Sequence, residues 1–120
     1  MISTYFKRVE QRIAKTKIVI DKKIDFKEID SDEGMVRGTI VFINGYVLEF
    51  MEYVEQQKRL KYRFHLMDKE GKMIFRYDNA PHYRNQTFPH HKHTPEVIKE
   101  SKEKSIIEVL KEIETLILKV

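Results

Sequence analysis

The strongest constraint on this chain is an alternation of apolar and polar side chains that runs, with short interruptions, from residue 18 to residue 77. Successive side chains of a strand point to opposite faces, so such alternation predicts strands with one buried face. Ile18, Ile20, Ile24 and Phe26 share one parity, while Asp21, Lys23, Asp25 and Lys27 hold the other. Residues 36–43 are β-branched or apolar on both parities and read as a central strand covered on both faces. Residues 46–54 predict a third strand, and Leu60, Tyr62, Phe64 and Leu66 form the apolar face of a fourth. Residues 73–77 make a fifth.

The connections are short. Residues 30–34 read as a polar loop, Asn44-Gly45 as a two-residue hairpin turn with positive φ at both positions, and Gln56-Gln57-Lys58 and Asp68-Lys69-Glu70-Gly71 as further turns. Strands joined this closely pair as antiparallel neighbours. Before them, Ile2, Tyr5, Phe6, Val9 and Ile13 follow helical spacing, which predicts a helix over about 3–15 with Ser3 near its start as a cap. After them, Thr94-Pro95 suits the opening of a helix, and Ser105 with Glu108 forms a capping box ahead of an apolar stripe from Ile106 to Val120. The expected fold is α+β: a five-stranded antiparallel meander sheet over about 17–77, with an N-terminal helix and C-terminal helices (95–119) packed on one face. At 120 residues this is one domain, 1–120.

Composition narrows the chemistry. The absence of cysteine removes thiol nucleophiles, thiolate metal sites and disulfides. No apolar run approaches a membrane span and the first residues lack a signal-type apolar core, so a cytoplasmic protein with no membrane partner is expected. The net charge of +4 is uneven: residues 58–93 carry nine basic against three acidic side chains, and all five histidines. Function is expected there.

Within that segment, Lys61, Arg63, His65 and Met67 occupy the parity opposite the core, and Arg76 on the next strand lies across from the row of Arg63 and His65. Glu52 ends an apolar row, so it either points to water or meets a cation such as Arg76. Residues 78–93 lose all periodicity and read as an irregular loop holding His82, His90, His91 and His93. Histidine suits general acid and base work near neutral pH. His82, with His90 or His91, supplies a candidate acid and base, with His65 and Glu52 as further titratable candidates. Arg76, Lys92 and Arg63 can hold a phosphate, Tyr62 or Tyr77 can stack a base, and Asp78 adds a polar contact. Metal-free RNA cleavage needs these parts: a base, an acid and a cation.

Other readings of the same loop stay open. His91 and His93 fall on one side of an extended segment while His90 points away, so they could ligate a divalent metal such as zinc with His82, His65 or Asp78 as third ligand. The loop would then serve a non-catalytic module binding a metal or a partner protein. The histidines could also simply brace the loop by hydrogen bonds.

The segments FRYDNAPH (75–82) and TFPHHKH (87–93) resemble the TumE-like toxin family of type II toxin–antitoxin pairs. LEFMEY (48–53), LKYRFHL (60–66) and the Ser105-to-Leu110 helix start are similar to that family's pattern, so the resemblance spans residues 36–117. It implies a cytosolic toxin restrained by a helix-turn-helix antitoxin, with shared motif positions at Glu52, Tyr62, His65, Arg76, Asp78, His82, His90, His91 and His93. RNA as target is inferred from the basic, histidine-rich composition of the site. Val41, Ile43, Met51 and Tyr53 leave apolar surface on the second sheet face for a second copy of the chain or for the antitoxin.

Overall fold

The computed structural model describes residues 1–80 and 89–119. Helix α1 (Ile2–Lys15) leads into strands β1 (Val19–Asp30), β2 (Glu33–Phe42), β3 (Val47–Glu55), β4 (Lys58–Met67) and β5 (Met73–Asp78). Two short strands follow, β6 (His91–His93) and β7 (Ile98–Glu100), and helix α2 (Ile106–Leu118) ends the described chain. All seven strands form one sheet in sequential order, each antiparallel to the next. The meander and the α+β class agree with the alternation, but the sheet has seven strands rather than five, and one C-terminal helix follows it. Thr94-Pro95 closes a turn instead of opening a helix. The Thr94 amide donates to Val97 O (2.8 Å) and the Val97 amide donates to Thr94 Oγ1 (3.2 Å). Threonine before proline suits either role, and three-residue strands are too short to show a period.

Both helices cover one sheet face. Ile2, Phe6, Val9 and Ile13 of α1 and Ile106, Val109, Leu110 and Ile113 of α2 are buried with Val36, Ile40, Leu48, Phe50, Phe64, Leu66 and Phe75. Gly34 sits beneath α1, where an added Cβ would come within 2.8 Å of Ile2 Cγ1, Phe6 Cζ and Lys27 O, so a larger residue would push the helix off. Ser3 makes no cap; the first α1 amide donates instead to Ser31 O (2.8 Å) in the β1–β2 turn. The capping box of α2 forms as its spacing predicts.

Among the described residues no helix covers the other sheet face: over β2–β4 it is exposed or half-buried, while Asp78, His91 and His93 at its β5–β6 end are buried. Strand β2 buries alternate residues only, with Arg37 and Thr39 exposed, so it is not covered on both sides. Three local details also differ from the sequence pattern. A bulge between Val19 and Asp21 turns Ile20 out to solvent (63% exposed). At Asn44-Gly45 only Gly45 has positive φ (+87°), while Gln56 and Gln57 (φ 50° and 66°) form the tight turn with two left-handed residues. A third irregularity, between Tyr53 and Val54, pairs Val54 with Arg59 and leaves Leu60 as the extra residue of β4. Arg59 thereby takes the inward position that simple alternation gives to Leu60, which is half exposed.

This bulge decides the environment of Glu52. Its carboxylate is fully buried and meets Arg59 Nε (3.2 Å), not Arg76. It also accepts from the first α2 amide, at Ile106 (3.0 Å), and from the Tyr5 hydroxyl on α1. Arg59 in turn donates to Tyr5 Oη (3.1 Å) and to Glu103 (2.7 Å). One carboxylate therefore ties both helices to the sheet, and burial pushes its pKa upward against the pull of Arg59, Tyr5 and the helix amide. Deleting a single partner of such a group strands the rest. Glu52→Ala is expected to lower unfolding stability by about 3–5 kcal/mol in urea titrations, with Glu52→Gln losing clearly less. A Glu52→Ala variant as stable as the parent would show that the carboxylate is not the tie.

Candidate functional site

The antiparallel registers bring six polar side chains of three strands onto the open face. His65 of β4 pairs with Arg76 of β5, which pairs with His93 of β6. One row along, Arg63 pairs with Asp78, which pairs with His91. Directly opposed residues share a face, so the Arg-x-Asp of β5 lies between Arg-x-His on β4 and His-x-His on β6. The expected juxtaposition of Arg76 with the Arg63–His65 row is present.

Asp78 is the hub. Its Oδ1 lies 2.6 Å from His91 Nε2 and accepts from the Ala80 amide (3.1 Å). Its Oδ2 accepts from Arg76 Nε (3.0 Å) and lies 3.5 Å from His93 Nε2. Arg76 also approaches His93 Nε2 through its second guanidinium nitrogen (3.2 Å). Guanidinium only donates, so His93 Nε2 accepts here and carries a lone pair. His91 Nδ1 lies 2.9 Å from Pro89 O, a carbonyl that only accepts, so that nitrogen donates. Its Nε2 faces the Asp78 carboxylate. His91 is fully buried and His93 nearly so.

His65 differs from its neighbours. Burial, Arg63 and Arg76 together lower its pKa below 6.5, with Glu49 opposing weakly, so it is a neutral base at pH 7. Asp78, His91 and His93 also present one ligand atom each within 4.8 Å of one another, the one such donor group among the described residues that could hold a metal ion. The Arg76 guanidinium already engages two of those donors.

The remaining candidates lie elsewhere. Tyr62, Tyr77 and Lys92 project to the helix-covered face. Tyr77 donates to Glu112 Oε1 (2.6 Å), and Lys92 Nζ bonds Glu112 Oε2 (3.1 Å) while lying over the rings of Phe75 and Tyr77. His90 stacks on Tyr62, with Nδ1 3.0 Å from its hydroxyl, so it points away from His91 and His93. Glu52 belongs to the helix tie. His82 lies outside the described residues. Asn79 is a residue that the sequence reading passed over. Its side chain accepts from the Tyr62 amide (3.0 Å) and donates to Leu60 O (3.0 Å), joining the end of β5 to the β4 bulge. Its place in FRYDNAPH was the available signal.

The family model for Toxin TumE matches residues 9–117. The chain belongs to the TumE toxin family. Membership makes it the toxin component of a toxin–antitoxin pair and implies an antitoxin partner. The match spans both histidine-bearing strands and the Arg-x-Asp strand between them, so the TumE assignment covers the whole described cluster. No curated protein and no solved structure matches the chain. Among the described residues, no helix is long and apolar enough to cross a membrane.

The electrostatics of His65 can be read directly. Its lowered folded-state pKa means the unfolded chain takes up the proton first, so its share of stability is present above 6.5 and lost as pH falls through the folded value. In an NMR pH titration His65 is expected to titrate below 6.5, and Arg63→Ala to move that midpoint upward. An unmoved midpoint would contradict the influence of Arg63.

Proposed function

We propose that this toxin acts on RNA, cleaving it by metal-independent acid–base chemistry at the Arg63–His65–Arg76–His93 face. The observation that supports the reading is the register, which sets two imidazoles on either side of one guanidinium on adjacent strands. In this scheme Arg76 and Arg63 hold the scissile phosphate. His65 takes the proton of the ribose 2′-hydroxyl, and the 2′-oxygen attacks phosphorus. The bond to the 5′-oxygen breaks, and that oxygen leaves with a proton from His93. A 2′,3′-cyclic phosphate and a 5′-hydroxyl result. Arg76 transfers its donors from His93 to the phosphate as substrate arrives, and the released His93 Nε2 takes up a proton from solvent, which it then gives to the leaving 5′-oxygen. Asp78 and His91 act as positioning groups behind Arg76, and His82 remains a further proton donor of the same scheme. Restraint by a helix-turn-helix antitoxin and a cytoplasmic location belong to the same proposal.

Inducing the protein is expected to arrest growth, and purified protein to cleave RNA with chelator present. His65→Ala and His93→Ala should each slow cleavage by about 10²–10⁴-fold and relieve the arrest while circular dichroism stays unchanged. If both variants remain as toxic and as active as the parent, the assignment is wrong. The second reading, a zinc-type site on Asp78, His91 and His93, is favoured by their convergence alone. It requires stoichiometric metal by elemental analysis of tag-free protein, and loss of function with chelator.

A further inference from the structure

The open face continues from the histidine cluster across β4, β3 and β2. Met51 of β3 pairs with Arg63 on one side and with Arg37 on the other, which makes a row of Arg37, Met51 and Arg63 perpendicular to the strands. A groove of 530 Å³ lies over this row, lined also by Lys23 and Thr39 and by two carboxylates, Glu49 and the Asp25 that pairs with Arg37. It shares Arg63 with the cluster, so the two are continuous. Arg37, Arg63 and Lys23 are exposed, and none of them is in a salt bridge among the described residues. Arg59 and Lys92, on the helix-covered side, are instead ion-paired. The open face thus keeps its cations available, with an apolar thioether between two planar guanidinium groups.

Such an arrangement suits a strand whose phosphates meet the arginines and whose bases lie on Met51 and the guanidinium planes. From Arg37 on β2 to Arg76 on β5 is three strand spacings, roughly 14 Å, the length of about four stacked nucleotides. We infer that this groove is the binding track for single-stranded RNA, carrying the strand across β2–β4 into the histidine cluster. The inference rests on the reading of the cluster as an RNA-cleaving site and adds the substrate class and the contacts remote from the chemistry.

The test uses a labelled 2′-O-methyl RNA of about 12 nucleotides, which lacks the attacking hydroxyl and is not cut, with binding followed by anisotropy across a salt series. Arg37→Ala is expected to weaken binding and reduce the slope of log K against log salt by about 0.7, the loss of one single-strand phosphate contact. Lys111→Ala, an exposed change on the far side of α2, should leave that slope unaltered. Equal shifts in both variants, or none in Arg37→Ala while the parent binds and cleaves, would overturn the groove and leave the cleavage site standing. Equal affinity for a duplex of the same sequence would overturn the single-strand assignment. A parent that neither binds the analogue nor cuts RNA would remove the functional reading itself.

Discussion

The site depends on the register of two ladders, β4 with β5 and β5 with β6. Side chains of a strand alternate, so a slip of one residue in either ladder would send Arg76 and Asp78, or His91 and His93, to the helix-covered face. Several contacts oppose such a slip. Asn79 bonds the β4 bulge from the end of β5, and Tyr77 and Lys92 meet at Glu112 on α2. Phe64, paired with Tyr77 across the ladder, is completely buried. The face that carries no candidate chemistry thus holds the register of the face that does.

A division of labour follows within each motif. Phe75-Arg76-Tyr77-Asp78 reads as four consecutive letters but acts as two interleaved pairs, Phe75 and Tyr77 in the core and Arg76 and Asp78 at the site. His91-Lys92-His93 divides the same way, with Lys92 to Glu112 and the histidines to Asp78. Counting every basic or aromatic residue of the segment as part of one phosphate or base site, as a reading of composition does, therefore merges two environments. The alternation that predicts the strands also separates these roles, once His91–His93 is known to be a strand.

That last fact was hard to see from sequence. Strands β1 to β5 were legible because their apolar runs are long enough to show a period and their turns are polar. Strands β6 and β7 have three residues each; β6 pairs on the free edge of β5 and β7 on that of β6, a tertiary cause with no local signal. The Ile20 and Leu60 bulges fall under the same limit: each inserts one residue into a ladder whose partner strand determines whether it is needed. Of the two expectations for Glu52, water or a cation such as Arg76, the structure has a cation, but it is Arg59, because the bulge exchanges Leu60 for Arg59. Arg76 across from His65 was legible, because Asp68-Lys69-Glu70-Gly71 marks the hairpin between their strands.

The two faces also differ electrostatically. On the helix side, Arg59 and Lys92 are matched with carboxylates, as cations removed from water must be. On the open side, solvent screens Arg37 and Arg63, so nothing compels pairing and their charge remains available to a ligand. Arg76 stands between these regimes. It is part-buried at the margin of the cluster and is held by Asp78 and His93, yet it shares the face of the unpaired arginines. A phosphate arriving along that face would offer Arg76 a charged acceptor in place of an imidazole nitrogen, and charge-assisted hydrogen bonds are the stronger kind. In the proposed scheme, exchange of partners at Arg76 would couple substrate arrival to release of His93, without any change in the sheet that carries them.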